Sequence, residues 1–162
     1  MTKLKKSRED LKTLKQFVSR LDDLEYLFRF SEHPDESLVE YLATETSVDC
    51  EDALGMSTNE LWGELQRLQC DYGLAFDYVR SGTFDDQEVG YFRYQLSFGG
   101  PTEEFRFYAD PEHNLINAEF WLLDWFTGSS IECATHETVV AVWDYFRDVD
   151  ITREAFSNAM AA

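Results

Sequence analysis

Chemistry that needs a nucleophile and a base would have to come from His33, His113 and His136 with Cys50, Cys70 and Cys133. Such catalysis requires a thiol or hydroxyl within hydrogen-bond reach of its base. No spacing here sets a histidine beside a candidate nucleophile, and each histidine falls in a turn or at a helix start. Cys133 and His136 are the closest pair of zinc-type donors, short of the four grouped ligands of a structural zinc site. Asp110, Glu112, His113 and Asn114 form the most suggestive cation-binding run. It lacks the alternating ligands, central glycine and final glutamate of a calcium loop, so it reads as a tight turn. Gly99-Gly100-Pro101 precedes a strand instead of a helix, which removes it as a phosphate cradle. Carboxylate pairs suited to glycoside hydrolysis arise by chance among 32 acids and distinguish nothing. The sequence predicts no enzyme active site, no metal and no cofactor.

The carboxylates are the remaining signal. The formal net charge is -18, and it is unevenly spread. Residues 1–30 carry eight Lys and Arg against five acids, whereas residues 31–162 carry six Arg, no Lys and 27 acids. On helices, Glu32, Asp35, Glu36, Glu40, Glu60 and Glu64 recur at spacings that bring carboxylates about 5–6 Å apart, comparable with neighbouring phosphates on a polynucleotide. Loops add Glu45, Asp49, Glu51 and Asp52, then Asp85, Asp86 and Glu88, then Glu103 and Glu104. This set predicts a surface that a Lys/Arg groove accepts in place of nucleic acid. The expected partner is a basic nucleic-acid-binding protein or nuclease complex, with neither nucleic acid itself nor a membrane as target. The alternatives are an immunity protein that neutralises a basic nuclease toxin, or an acidic structural or interaction domain.

Those acids need a scaffold, and the remaining composition supplies one. With 44% hydrophobic and 15% aromatic residues, the chain can bury a core despite its charge. At 162 residues it is read as one α+β domain spanning 1–162. Residues 1–30 form a basic amphipathic helix whose Leu11, Leu14, Val18, Leu21 and Phe28 make an apolar stripe facing the core, or alternatively a homodimer seam. Residues 31–80 are helical and acidic, with a helix from Asp35 to Glu45 and another opened by a Ser57–Glu60 capping box. In residues 88–133 the period changes to two. Phe92, Tyr94, Leu96 and Phe98, then Phe105 and Phe107, predict an antiparallel meander of three to four strands. Residues 135–160 form C-terminal helices, capped at Thr135 and Thr152, of which the first lays Val139, Val142, Trp143 and Phe146 on the sheet. The odd, dispersed cysteines predict reduced thiols packed as small apolar groups, and no apolar run reaches membrane-span length, so a cytoplasmic protein is expected.

The strand block YFRYQLSFGGPTEEFRFYAD, Tyr91 to Asp110, with EFWLLDWFTG, Glu119 to Gly128, resembles a group of small acidic proteins carried on plasmids, phages and other mobile elements. The likeness covers roughly residues 90–128 and does not extend to the helical N-terminal half. It implies a mobile-element setting and therefore an anti-defence role, antirestriction or anti-CRISPR, and no catalytic role. Within the motif, Gly99, Gly100 and Pro101 read as the turn that sets hairpin register. Arg93 and Arg106 are expected to pair with Glu104, Glu119 or Asp124 on facing strands.

Overall fold

A computed structural model describes residues 8–29 and 55–162. The helix expected from Asp35 to Glu45 lies outside the described residues. Five strands, β1 (Ala75–Val79), β2 (Tyr91–Ser97), β3 (Thr102–Ala109), β4 (Leu115–Asp124) and β5 (Thr127–Glu132), pair antiparallel in chain order. Strand alternation places Phe92, Tyr94, Leu96, Phe105, Phe107, Ala118, Phe120 and Leu122 on one face, all buried. Burying each large side chain is worth about 2–3 kcal/mol, which makes this face the centre of the core.

Four helices are described: α1 (Arg8–Leu24), continued by a π-helical turn (Glu25–Arg29), α2 (Thr58–Asp71), α3 (Glu137–Asp148) and α4 (Ile151–Ala161). Helix α3 lays Val139, Val142, Trp143 and Phe146 on the apolar face, with Trp143 fully buried 5.2 Å from Phe92 and 5.4 Å from Phe107. Helix α1 brings Phe17 to within 5.4 Å of Phe120, and α4 sets Phe156 against Tyr78 of β1. The Ser57–Glu60 capping box opens α2 as the sequence implies. No helix of the described residues is long and apolar enough to cross a membrane.

Several expectations change. The sheet has five strands, because Ala75–Val79 extends from the region read as helical. A five-residue edge strand with only Phe76 and Tyr78 facing inward has too short an alternation to stand out beside α2. Helix α1 buries a different stripe: Thr13, Phe17, Leu24, Leu27 and Phe28 are buried, while Leu11 and Val18 are 54% and 50% exposed. The buried stripe keeps a helical period, but it is disguised by polar members. The Thr13 hydroxyl lies 2.9 Å from both the Glu9 carbonyl and the Ser129 hydroxyl, and Arg20 reaches Glu103. Phe98 falls beyond the end of β2, past a register shift at Gln95–Ser97, and is exposed. His136, not Thr135, caps α3 by accepting the Thr138 N–H. Asp150 occupies the N-cap of α4, and Thr152 is buried with its hydroxyl 2.8 Å from His113 Nδ1. Cys133 is buried as expected, but Cys70 is exposed, its sulfur 3.7 Å from the Tyr145 hydroxyl.

The helices are tied to the sheet by one polar knot. Arg20 of α1 forks onto Glu103 of β3 at 2.5 and 3.3 Å. Its other terminal nitrogen donates to the Tyr72 hydroxyl at the end of α2, and that hydroxyl donates to Asp23. The Ser97 hydroxyl of β2 accepts the Glu103 N–H and faces its carboxylate at 3.0 Å. These contacts hold the Arg20 pKa above its ordinary value, chiefly through Glu103, while burial pushes the Tyr72 pKa up.

Arg20→Ala leaves Glu103 buried without its cation and is expected to cost about 3–5 kcal/mol in urea unfolding. Adding Glu103→Gln to Arg20→Ala should recover part of that loss, because no charge is then left buried. A double variant no more stable than Arg20→Ala would assign the loss to packing instead. Gly73→Ala should also destabilise, because a Cβ there would lie 2.1 Å from the edge of the buried Tyr94 ring.

Candidate acidic interface

The expected acidic surface divides in the structure. Glu32, Asp35, Glu36, Glu40, Glu45, Asp49, Glu51 and Asp52 lie outside the described residues. Glu60 is exposed but engaged in the capping box, accepting the Ser57 N–H at 2.7 Å, which lowers its pKa. Glu64 holds Arg67 at 2.9 Å. Glu103 and Glu104 are not turn carboxylates open to a partner. They sit on β3 with 7% and 2% exposure, paired with Arg20 and Arg106 respectively. A buried carboxylate without a cation would be costly, so these two are committed to pairs inside the fold. Asp85, Asp86 and Glu88 remain. They are exposed in the loop between β1 and β2, with no ion pair among the described residues.

The meander decides which acids join them. Antiparallel order puts the β1–β2 and β3–β4 loops at one end of the sheet and the β2–β3 and β4–β5 turns at the other. Asp110 and Glu112 therefore share an end with Asp85, Asp86 and Glu88. The Thr152–His113 contact brings the α3–α4 junction to the same end, with Asp148, Asp150 and Glu154. Asp110 accepts from the Glu112 and Asn114 N–H groups and the Asn114 amide, which lowers its pKa and keeps it charged. Arg147 and Arg153 contact Asp148 and Asp150 in exposed pairs of small energetic weight. Sequence reasoning missed these junction acids, since nothing local to them signals proximity to residues 85–88.

The opposite end has a different character. Lys12 pairs with Asp124 at the β4–β5 turn, so the lysine-bearing start of α1 lies there. Phe98, Trp125 and Phe126 are 78%, 88% and 99% exposed on the two turns of this end.

The β1–β2 loop is internally braced. Gly82 adopts φ +73°, donating its N–H to the Gln87 carbonyl at 2.9 Å. The Gln87 amide accepts from Phe84 N–H and donates to the Val89 carbonyl, both at 3.1 Å. So held, the loop and the face of the sheet turned away from the apolar core line a cavity of about 470 Å³. On that face, register aligns Asp77, Arg93, Arg106, Glu119 and Glu132 across all five strands. Arg93 pairs with Asp77 at 2.6 Å, not with the acids expected for it, and Arg106 pairs with Glu104 at 2.7 Å within β3 itself instead of across facing strands. The Arg106 guanidinium also lies 4.2 Å from the Trp121 ring and 4.8 Å from the Tyr91 ring. Glu119 accepts from the Tyr108 hydroxyl and the Trp121 indole at 3.2 and 2.8 Å.

The histidines and cysteines do not converge among the described residues. His113 faces Thr152, His136 caps α3, and Cys133 is buried with its thiol pKa pushed up to about 12 by desolvation. No group of three or more His, Cys, Asp or Glu side chains suited to a metal ion occurs among the described residues. His33 and Cys50 lie outside them. No protein-family model, curated protein or solved structure matches this chain.

Burial raises the Tyr108 pKa to about 12, with Glu119 adding to it, and the Tyr145 pKa to about 12 as well. Unfolded tyrosine ionises near 10. The folded form therefore keeps its protons where the unfolded form has lost them. Stability from these groups is complete below about pH 10 and declines as pH rises toward 12. Urea midpoints measured from pH 8 upward, alongside tyrosinate absorbance, should fall only in this alkaline window.

Proposed function

We propose that this protein is a non-enzymatic inhibitor that occupies the cationic nucleic-acid-binding surface of a partner, presenting carboxylates where the partner would hold phosphates. The observation that carries this reading is the segregation of charge. Asp85, Asp86 and Glu88, without ion pairs among the described residues, share one end with Asp110, Glu112, Asp148, Asp150 and Glu154, while Lys12 of α1 pairs with Asp124 at the other. Unpaired carboxylates held together repel one another and gain when a cationic surface approaches, so the arrangement favours a basic partner over an isolated state. A partner with a Lys/Arg groove would be steered to this end and lose access to its polynucleotide. A basic nuclease or nucleic-acid-guided effector of a defence system, in the cytoplasm, is the partner class that suits the charge.

Competition with duplex DNA for basic nucleases tests the proposal. The protein should displace DNA, with affinity falling about tenfold or more as salt rises from about 0.05 to about 0.2 M. Asp85→Asn, Asp86→Asn and Glu88→Gln combined should weaken displacement about tenfold with an unchanged circular dichroism spectrum. Equal displacement by this variant would remove the β1–β2 loop from the interface. Salt-independent displacement would count against the electrostatic reading itself.

A further inference from the structure

We infer that the cavity between the β1–β2 loop and the open face of the sheet receives one cationic side chain, an arginine or lysine, of the basic partner. This rests on the proposed function and specifies how that same end would engage. The volume of about 470 Å³ lies within the range of small-ligand pockets and is ample for a single long side chain. Phe84, Val89, Tyr91 and Tyr108 form its apolar wall, and Asp85, Asp86 and Glu88 also line it.

The lining includes one cation, and it is already neutralised. Arg106 gives its Nε proton to the buried Glu104 at 2.7 Å and lies over two aromatic rings. With that charge offset, the three loop carboxylates set the sign of the cavity. An anion would be repelled, and a neutral apolar group would strip water from the carboxylates with nothing in return.

A second, independent observation points the same way. Tyr91 is 2% exposed, lines the cavity, and its hydroxyl has no hydrogen-bond partner among the described residues. That hydroxyl opens to the cavity and can accept a hydrogen bond from an incoming guanidinium or ammonium. The Tyr108 hydroxyl gives its proton to Glu119 and so keeps its oxygen free to accept. Exposed Phe84 and Val89 at 54% and 62% offer cover for the alkyl stem, the part a long basic side chain lays on apolar surface. Aromatic walls and carboxylates together match the two halves of an arginine or lysine.

Nuclear magnetic resonance titration with a Gly-Arg-Gly peptide, with spermidine and with a Gly-norleucine-Gly control tests the assignment. The arginine peptide should shift the Gln87, Val89 and Tyr91 amides saturably, and the norleucine peptide should not. Tyr91→Phe, which keeps the ring and removes the hydroxyl, should weaken the arginine peptide about tenfold and weaken DNA displacement with it, the salt slope unchanged. If Tyr91→Phe displaces DNA as the unaltered protein does while the Asp85, Asp86 and Glu88 triple variant fails, the cavity assignment is wrong and the acidic-end reading survives. If neither variant matters, both fall. Saturable binding of spermidine without the arginine peptide would make this a free-amine site and overturn the assignment to a partner's side chain.

Discussion

The buried pairing of Arg20 with Glu103 is the constraint from which the rest of the arrangement follows. A carboxylate is costly to bury unless a cation or hydrogen-bond donors come with it, because desolvating a lone charge is expensive. Arg20 answers that need from α1, while Tyr72 and Asp23 extend the contact to the end of α2, and Ser97 extends it to β2. Hydrophobic contact is non-directional and would let α1 slide or roll on the sheet. A forked guanidinium–carboxylate pair has direction and sets which stripe of the helix faces inward. Leu11 and Val18 are left outside as a consequence.

Carboxylates of one chemical kind thus serve two ends. Glu103 and Glu104 lie in the sheet, each bonded to an arginine, where they fix geometry. Asp85, Asp86 and Glu88 lie on a braced loop, where their repulsion stays unrelieved. What separates the two groups is strand position: β3 is central and both its faces are covered by neighbours or by side-chain networks, whereas the β1–β2 loop projects past the sheet. Charge retained at the loop destabilises the isolated molecule slightly and is therefore available for recognition, whereas charge neutralised in the sheet is not.

Much of the meander was legible because turn residues and alternation are local. Gly99-Gly100-Pro101 and Asp110-Pro111 interrupt runs whose inward members, Phe92, Tyr94, Phe105, Phe107 and Phe120, carry the pattern without reference to anything distant. The capping box at Ser57 was equally local. Strand β1 was not, because two inward residues, Phe76 and Tyr78, make too short an alternation, and the buried stripe of α1 was not, because it includes Thr13 and Arg20, which reach Ser129 and Glu103 far along the chain. The interface was the least legible part: Glu103 and Glu104 look like any acidic pair after a turn until helix docking brings Arg20 to Glu103 and β3 folds Arg106 back onto Glu104.

By itself the sequence determined the charge, its asymmetry along the chain, the aromatic core and the antiparallel character of the sheet, since each depends on composition or on neighbours a few residues apart. Tertiary structure alone decided which acids are neutralised, which share an end, and that an aromatic-walled cavity stands beside Asp85, Asp86 and Glu88. Electrostatic energy depends on distance and burial. Both are set by strand order and helix docking, and neither is written in any local run of residues.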